Sequence, residues 1–205
     1  YWWTKIDNNL IATVADCTGH GVPGALMSML GISFLREIVV KDKCYRPADV
    51  LNNLRQEVIA VLDQKMEKGV QKDGMDMALI AIDMNNLSAS FAGARNTLVL
   101  IRDGDLVEYN SDKAPISIYL KMKEFEQKQI QFKSGDQIYL FTDGYPDQFN
   151  GENGKKFKRA RFKDLLLSIS AKPMDEQKKD LITHFEKWKG IEEQIDDVTI
   201  VGFKL

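Results

Sequence analysis

Three aspartate positions in this 205-residue chain sit where an apolar run ends or begins. Asp16 closes the run Leu10 to Ala15, Asp143 follows Ile138 to Phe141, and Asp196-Asp197 precede Val198 to Phe203. Compact apolar runs of this length read as buried strands. In an antiparallel sheet the end of one strand lies beside the start of its neighbour, so these carboxylates can collect on one edge. Carboxylates so gathered repel one another unless a proton or a cation intervenes. A donor set made only of oxygen favours Mg2+, Mn2+ or Ca2+ over Zn2+. Taken singly, each aspartate also fits a plain turn or a solvated strand end.

The segment after Asp16 is Cys17-Thr18-Gly19-His20-Gly21-Val22-Pro23-Gly24. Its Gly19-x-Gly21-x-x-Gly24 spacing matches a dinucleotide-binding turn, which requires a second parallel strand ending in an acidic residue. The first helix instead runs into Lys41-Asp42-Lys43 and a second helix, so that reading fails. A phosphate loop of the Walker type fails too, because Ala25-Leu26 stands where Lys-Ser/Thr is needed. A ligand-free strand-to-helix turn explains the glycines, but not the aspartate before them.

The elements that must position these residues follow from periodicity. A helix is expected from about Val22 to Val40, with Leu26 and Met29 in its core. Pro47 opens a second helix to about Met66, whose Leu51, Leu54, Val58 and Leu62 make one buried face. Lys68 to Gly74 reads as a loop. Short strands follow at Met77–Ile82, Ser88–Phe91, Thr97–Ile101, Leu106–Tyr109, Phe125–Phe132 and Gln137–Thr142, with Asp103-Gly104 as a hairpin turn. Helices are expected over Arg161–Ile169 and Asp175–Trp188, then a last strand over Val198–Phe203. Two helices followed by a run of strands depart from strict α/β alternation, so the fold class is α+β, with antiparallel sheets covered by helices.

Bulk composition narrows the function classes. The length suits one domain, 1–205. A net charge of −2 with well-mixed signs gives no reason to expect a nucleic-acid or anionic-membrane partner. The absence of an organised basic groove disfavours a nuclease. The uncharged stretch Val22 to Leu35 is too short to span a bilayer. Cys17 and Cys44 lack metal-ligand spacing and read as small core residues of a reducing compartment. No Cys-x5-Arg motif of a cysteine phosphatase is present.

Three segments together carry a resemblance: Val14-Ala15-Asp16-Cys17-Thr18-Gly19-His20-Gly21-Val22-Pro23-Gly24-Ala25, Leu140-Phe141-Thr142-Asp143-Gly144, and Asp196-Asp197-Val198-Thr199. Gly74-Met75-Asp76-Met77 and Ala92-Gly93-Ala94-Arg95-Asn96 are weaker matches. In this order the chain resembles the metal-dependent protein phosphatases of the PPM, or type 2C, family. The closer likeness is to the bacterial branch of the SpoIIE sporulation phosphatase and the RsbU-like regulators of sigma-factor signalling.

The resemblance implies a sandwich of two antiparallel β-sheets flanked by α-helices, with two Mn2+ or Mg2+ ions at one end. It matches Asp16 to the metal-bridging aspartate, the Cys17 carbonyl to the next ligand, and Asp143 and Asp196 to two further carboxylate ligands. Asp197, Thr18, Gly19, His20 and Gly144 support the site. Thr18 stands where eukaryotic members carry a histidine proton donor, and His20 either shapes the turn or takes part in catalysis. His184 is expected to be structural. Arg95 is a candidate phosphate-gripping residue by its turn position, and the basic stretch Lys155 to Arg161 reads as a solvated loop.

The implied activity is hydrolysis of phosphoserine or phosphothreonine by a metal-activated water, without a phosphoenzyme. The implied substrate is a phosphorylated signalling protein, of the anti-sigma-factor antagonist kind. The competing class is a phosphatase-like regulatory domain that binds a protein partner with little or no turnover. The first two helices are expected to relay a signal and to offer a homodimer contact. The chain is expected to be the C-terminal catalytic part of a longer sensor or regulatory protein, with this domain cytoplasmic and making no membrane contact whether or not the parent is membrane-anchored. The branch carries a Gly-Asp just before the position of Tyr1, on which tight metal binding is expected to depend.

Overall fold

The densest apolar runs become strands, and the stretch after Pro47, whose apolar residues recur every three or four positions, becomes a helix. The computed structural model describes residues 1–19, 21–66 and 72–205. Its element order is two strands, two helices, six strands, three helices and a last strand. The chain divides into two compact units, Tyr1–Leu98 with Tyr109–Phe132, and Val99–Glu108 with Lys133–Leu205.

The first unit is built on a five-stranded antiparallel sheet. Its strands are β1 (Trp2–Ile6), β2 (Asn9–Cys17), β3 (Met75–Asp83), β4 (Ser88–Ala94) and β7 (Lys128–Gln131), in the order β1-β2-β3-β4-β7. Side chains alternate between the faces of a strand. Ile11, Met75, Met77 and Leu79 pack with Leu51, Leu54 and Val58 of α2 (Pro47–Val61) and with Met27 and Leu35 of α1 (Gly21–Leu35) in one buried cluster. Val14, Ala78 and Ile80 lie on the other face and are fully buried. Asp16, two residues beyond Val14, shares that second face, and its Cα partner across the ladder is Asp76.

The helices differ from the sequence reading in instructive ways. α1 continues as a π-helical turn over Arg36–Lys41, so the whole helical segment Gly21–Lys41 has 21 residues and is apolar enough to cross a membrane by length and composition alone. Met27, Gly31, Leu35, Ile38 and Val39 are buried within the unit, as in a core helix. Leu26 and Met29, expected in the core, are instead 62% and 68% exposed. They lie on the opposite side of the helix from Met27 and Gly31. Pro47 does open α2, but the helix stops at Val61, short of Met66. Asp63 then turns left-handed, and the Gln64 side chain is drawn away to the Asp73 carbonyl and the Ile118 N–H. Most of the expected loop Lys68 to Gly74 lies outside the described residues.

Strand β1 was absent from the periodicity reading. The expected strand Phe125–Phe132 shrinks to β7, because the Phe125 N–H donates to Asn52 Oδ1 of α2 at 3.0 Å instead of joining a ladder. The half-buried Cys17 and Cys44 pack against the core of this unit, and both are free thiols.

The second unit carries a four-stranded sheet. β5 (Leu98–Arg102), β6 (Asp105–Tyr109), β8 (Gln137–Phe141) and β9 (Ile200–Lys204) lie in the order β6-β5-β8-β9. Asp103 and Gly104 both have positive φ, 51° and 85°, which fits the hairpin turn expected of an Asp-Gly pair. A short helix α3 (Gly144–Asp147), unforeseen in the sequence, follows β8. Helices α4 (Arg159–Ile169) and α5 (Met174–Lys189) match the expected pair within two residues. Their Phe162, Leu166 and Phe185 pack with Tyr139, Phe141 and Tyr145, and His184 lies on the exposed side of α5.

One buried charge ties this sheet together. Asp136, 1% exposed, accepts from Arg102 Nε of β5 at 2.8 Å and from the Lys133 N–H at 2.9 Å. Burial alone would raise its carboxyl, but these bonds hold it below its ordinary value of 3.8. Arg102→Met strands that carboxylate and is expected to cost about 3–5 kcal/mol at neutral pH in urea unfolding. A depressed carboxyl pKa gives stability that is present above 3.8 and lost as pH falls through the folded value. Acid titration of stability below pH 4 should therefore flatten in the variant; an unchanged slope would remove Asp136 from the account.

Candidate metal centre

In the first unit, β2 delivers Asp16 half-buried at the sheet edge, on a strand whose preceding residues Ile11 to Val14 are buried. The turn that follows is tied to the start of β3. The Thr18 N–H donates to the Gly74 carbonyl at 3.0 Å, and the Gly74 N–H donates back to Thr18 Oγ1 at 2.9 Å. Thr18 Oγ1 also donates to Asp73 Oδ1 at 3.2 Å. Thr18 is thus a brace for the Asp16–Cys17 peptide. Gly19 has φ 88°, and a Cβ on Gly24 would lie 2.6 Å from the Gly19 carbonyl oxygen. The glycines therefore let the chain fold back tightly enough to start α1 directly after the aspartate. Ser28 Oγ lies 3.5 Å from Cys17 Sγ, and burial pushes the Cys17 thiol up. A thiol raised in this way is a poor nucleophile. His20 lies outside the described residues.

In the second unit a backbone splice brings two of the expected ligands together. Thr142, buried at the end of β8, bonds in both directions. Its N–H donates to the Thr199 carbonyl at 3.1 Å, its Oγ1 donates to the Asp197 carbonyl at 3.2 Å, and it accepts from the Thr199 N–H at 3.1 Å. Gly144 completes the splice, since a Cβ there would sit 2.3 Å from the Asp197 carbonyl oxygen. Asp143 is held between these two residues and beside Asp196-Asp197.

The electrostatics show how close the charges are. Burial pushes the Asp196 carboxyl up, and the charges of Asp143, Asp197 and Asp147 push it the same way, against the Asp197 N–H that it accepts at 2.7 Å. A bound cation would relieve this strain, and hard oxygen donors suit Mg2+ or Mn2+. Asp147, one helical turn after Asp143, was not singled out in the sequence. It pairs with Lys156 at 2.8 Å, so part of the expected solvated loop Lys155 to Arg161 answers this acidic cluster. The four-residue spacing Asp143–Asp147 becomes a signal only once the short helix α3 is known.

Gly144→Ala must move the 142–144 backbone away from Asp197. It is expected to cost about 1–3 kcal/mol, the range for overpacked sites, read as a lower urea midpoint. A variant as stable as the parent would show that the splice tolerates a side chain.

Comparison with known proteins agrees with this arrangement of elements. The sequence profile of Stage II sporulation protein E (SpoIIE) matches residues 6–205. The chain is similar to the SiaA PP2C domain of Pseudomonas aeruginosa, with a TM-score of 0.88 at 28% identity over 100% of this chain and 79% of that one. It also resembles the structure of the RsbU and RsbW domains of a Mycobacterium tuberculosis protein, with a TM-score of 0.77 at 20% identity over 99% of this chain and 55% of that one. A structure of the PP2C phosphatase domain of SpoIIE from Bacillus subtilis, with a fragment of its regulatory domain, gives a TM-score of 0.75 at 16% identity over 99% and 56%. No curated protein sequence matches the chain. Two antiparallel sheets with flanking helices are the α+β sandwich fold of the type 2C phosphatases. With nearly its whole length matched, the chain belongs to the SpoIIE family of type 2C-like phosphatase domains.

Proposed function

We propose that the two units act as one catalytic domain that hydrolyses phosphoserine or phosphothreonine on a signalling protein. The ligands of two Mn2+ or Mg2+ ions would be the carboxylates of Asp16, Asp143 and Asp196 with the backbone carbonyl of Cys17. The observation that carries this reading is the splice at Thr142 and Gly144, which holds Asp143 against Asp196-Asp197 despite their mutual repulsion. All three ligand aspartates offer a carboxylate oxygen. When bound, divalent cations would supply an acidified water as nucleophile and charge stabilisation at the phosphoryl oxygens. The chain's own part is positional. Thr18 fixes the Asp16–Cys17 peptide, Thr142 and Gly144 fix the opposing carboxylates, and Asp197 supports Asp196 through its N–H. Family membership and the likeness to the SiaA phosphatase domain support the same reading.

The proposed substrate is a phosphorylated protein of the anti-sigma-factor antagonist kind, encountered in the cytoplasm. The similarity to an RsbU domain solved together with an RsbW domain supports it. The exposed apolar row Val22, Leu26 and Met29 on α1 supports a homodimer contact through the first helices. In this reading any movement of α1 is felt at Cys17 through Ser28.

Phosphate release from a phosphoserine protein should require Mn2+ or Mg2+ and fall at least about a hundredfold in Asp143→Asn, beyond the loss typical of outer-shell changes. Metal-independent release, or full activity in the variant, would refute the assignment. Metal-free protein should melt higher as Asp196→Asn, because crowded charge is removed, while Mn2+ should no longer raise the melting temperature. A parent that binds Mn2+ yet releases no phosphate from any phosphoserine protein would favour the regulatory alternative.

A further inference from the structure

The reaction proposed above needs a group that grips phosphoryl oxygens, and the turn after β4 holds one. Arg95 has φ 64°, a left-handed conformation uncommon for arginine. Its backbone is fixed on every side. The Arg95 N–H donates to the Asp112 carbonyl at 2.8 Å, the Asp112 N–H donates to the Gly93 carbonyl at 2.8 Å, and the Asn96 N–H donates to Ala94 at 2.9 Å. A Cβ on Gly93 would lie 2.3 Å from the Asn96 carbonyl oxygen and 2.7 Å from Ser111 Cβ, so the turn admits only glycine there.

This turn aims the side chain along the edge that carries Asp16. Arg95 bridges in register with Met77, one residue after Asp76. Asp76 is the cross-strand partner of Asp16, and directly opposed residues share a sheet face about 5 Å apart at Cβ. Arg95 Nη1 stands 3.5 Å from Asp76 Oδ1, its Nε donates to the Lys113 carbonyl at 3.3 Å, and the guanidinium lies 5.9 Å from the Tyr119 ring centre. The Asp76 pair is long for a charge-assisted bond, and the Arg95 side chain is 46% exposed. Such a loose, half-exposed pair contributes little stability, so exchanging the carboxylate for a dianion costs little. A planar fork with five N–H donors matches two oxygens of a phosphoryl group at once.

We infer that Arg95, oriented by its turn and the Lys113 carbonyl and released from Asp76, binds the phosphoryl oxygens of the substrate and of the phosphate product. The inference rests on the phosphatase reading of the Asp16 site, and it is tested by binding as well as by turnover. The probes are inorganic phosphate and a phosphoserine peptide, with the full chain in Mn2+. Arg95→Asn keeps a residue that tolerates the left-handed backbone and removes the charge. Phosphate affinity by calorimetry should weaken about tenfold or more, as expected for losing hydrogen bonds to a charged partner. KM for the peptide should rise in step, while Mn2+ affinity and melting temperature stay at parent values. Arg95→Lys should recover part of the phosphate affinity but not all of it. Equal phosphate affinity in parent and Arg95→Asn overturns the inference, as does a variant that loses Mn2+ affinity and stability without a selective loss of phosphate. Phosphate binding that depends on Arg95 in a parent without turnover would sink the hydrolytic reading and leave this one standing.

Discussion

The arrangement of the second unit turns on one electrostatic constraint: Asp143 and Asp196-Asp197 are like charges that must be kept adjacent. Side-chain contacts cannot do this, because each carboxylate would rotate or recede from its neighbour. The backbone and the Thr142 hydroxyl do it instead. Thr142 links β8 to the segment entering β9 through three hydrogen bonds, and Gly144 lets the two chains approach to a distance that excludes any Cβ. Burial first, and the neighbouring charges after it, push the Asp196 carboxyl up. Asp147 enlarges the acidic cluster, and Lys156 answers it from outside. None of the three Thr142 bonds uses a carboxylate, so the geometry persists whatever the protonation state of the acids.

The first unit solves a related problem with the same economy. Alternation along β2 and β3 sends one set of residues into the helix-packed core and the other set to the face shared by Asp16 and Asp76. The register therefore decides which chemistry reaches the edge; a slip of one residue would bury Asp16 against the helices. Reciprocal bonds between Thr18 and Gly74 pin that register at the strand ends.

Much of this was legible because the strands that carry the site are dense apolar runs ending in Asp. The final helices were legible to within two residues at each end, and the Asp103-Gly104 turn from its dipeptide. Other features were not. β1 has five residues and alternates too briefly to stand out, and its partner β2 supplies the pairing that defines it. Leu26 and Met29 read as core because hydrophobicity alone cannot tell a buried helical face from an exposed one. The end of α2 was set by the distant contacts of Gln64, not by a local stop signal. Thr142 could not be recognised as a clamp, since its partners lie more than fifty residues away in the chain. Asp76 was visible only as part of a weak motif match and Arg95 by that and its turn position, and their pairing is a product of the β3–β4 register.

The left-handed backbone at position 95 also bears on how this turn can drift. Residues with a Cβ carry a penalty of about 1 kcal/mol in that conformation, which glycine escapes and asparagine partly offsets. Random substitution under selection for folding alone would therefore settle on glycine or asparagine here, and each would leave the surrounding main-chain hydrogen bonds intact. If Arg95 binds phosphate as proposed above, that need is what holds an arginine at such a position. Chains that inherit the turn but not the need for a cation at this edge should shed it early, while keeping Gly93, whose replacement the backbone forbids.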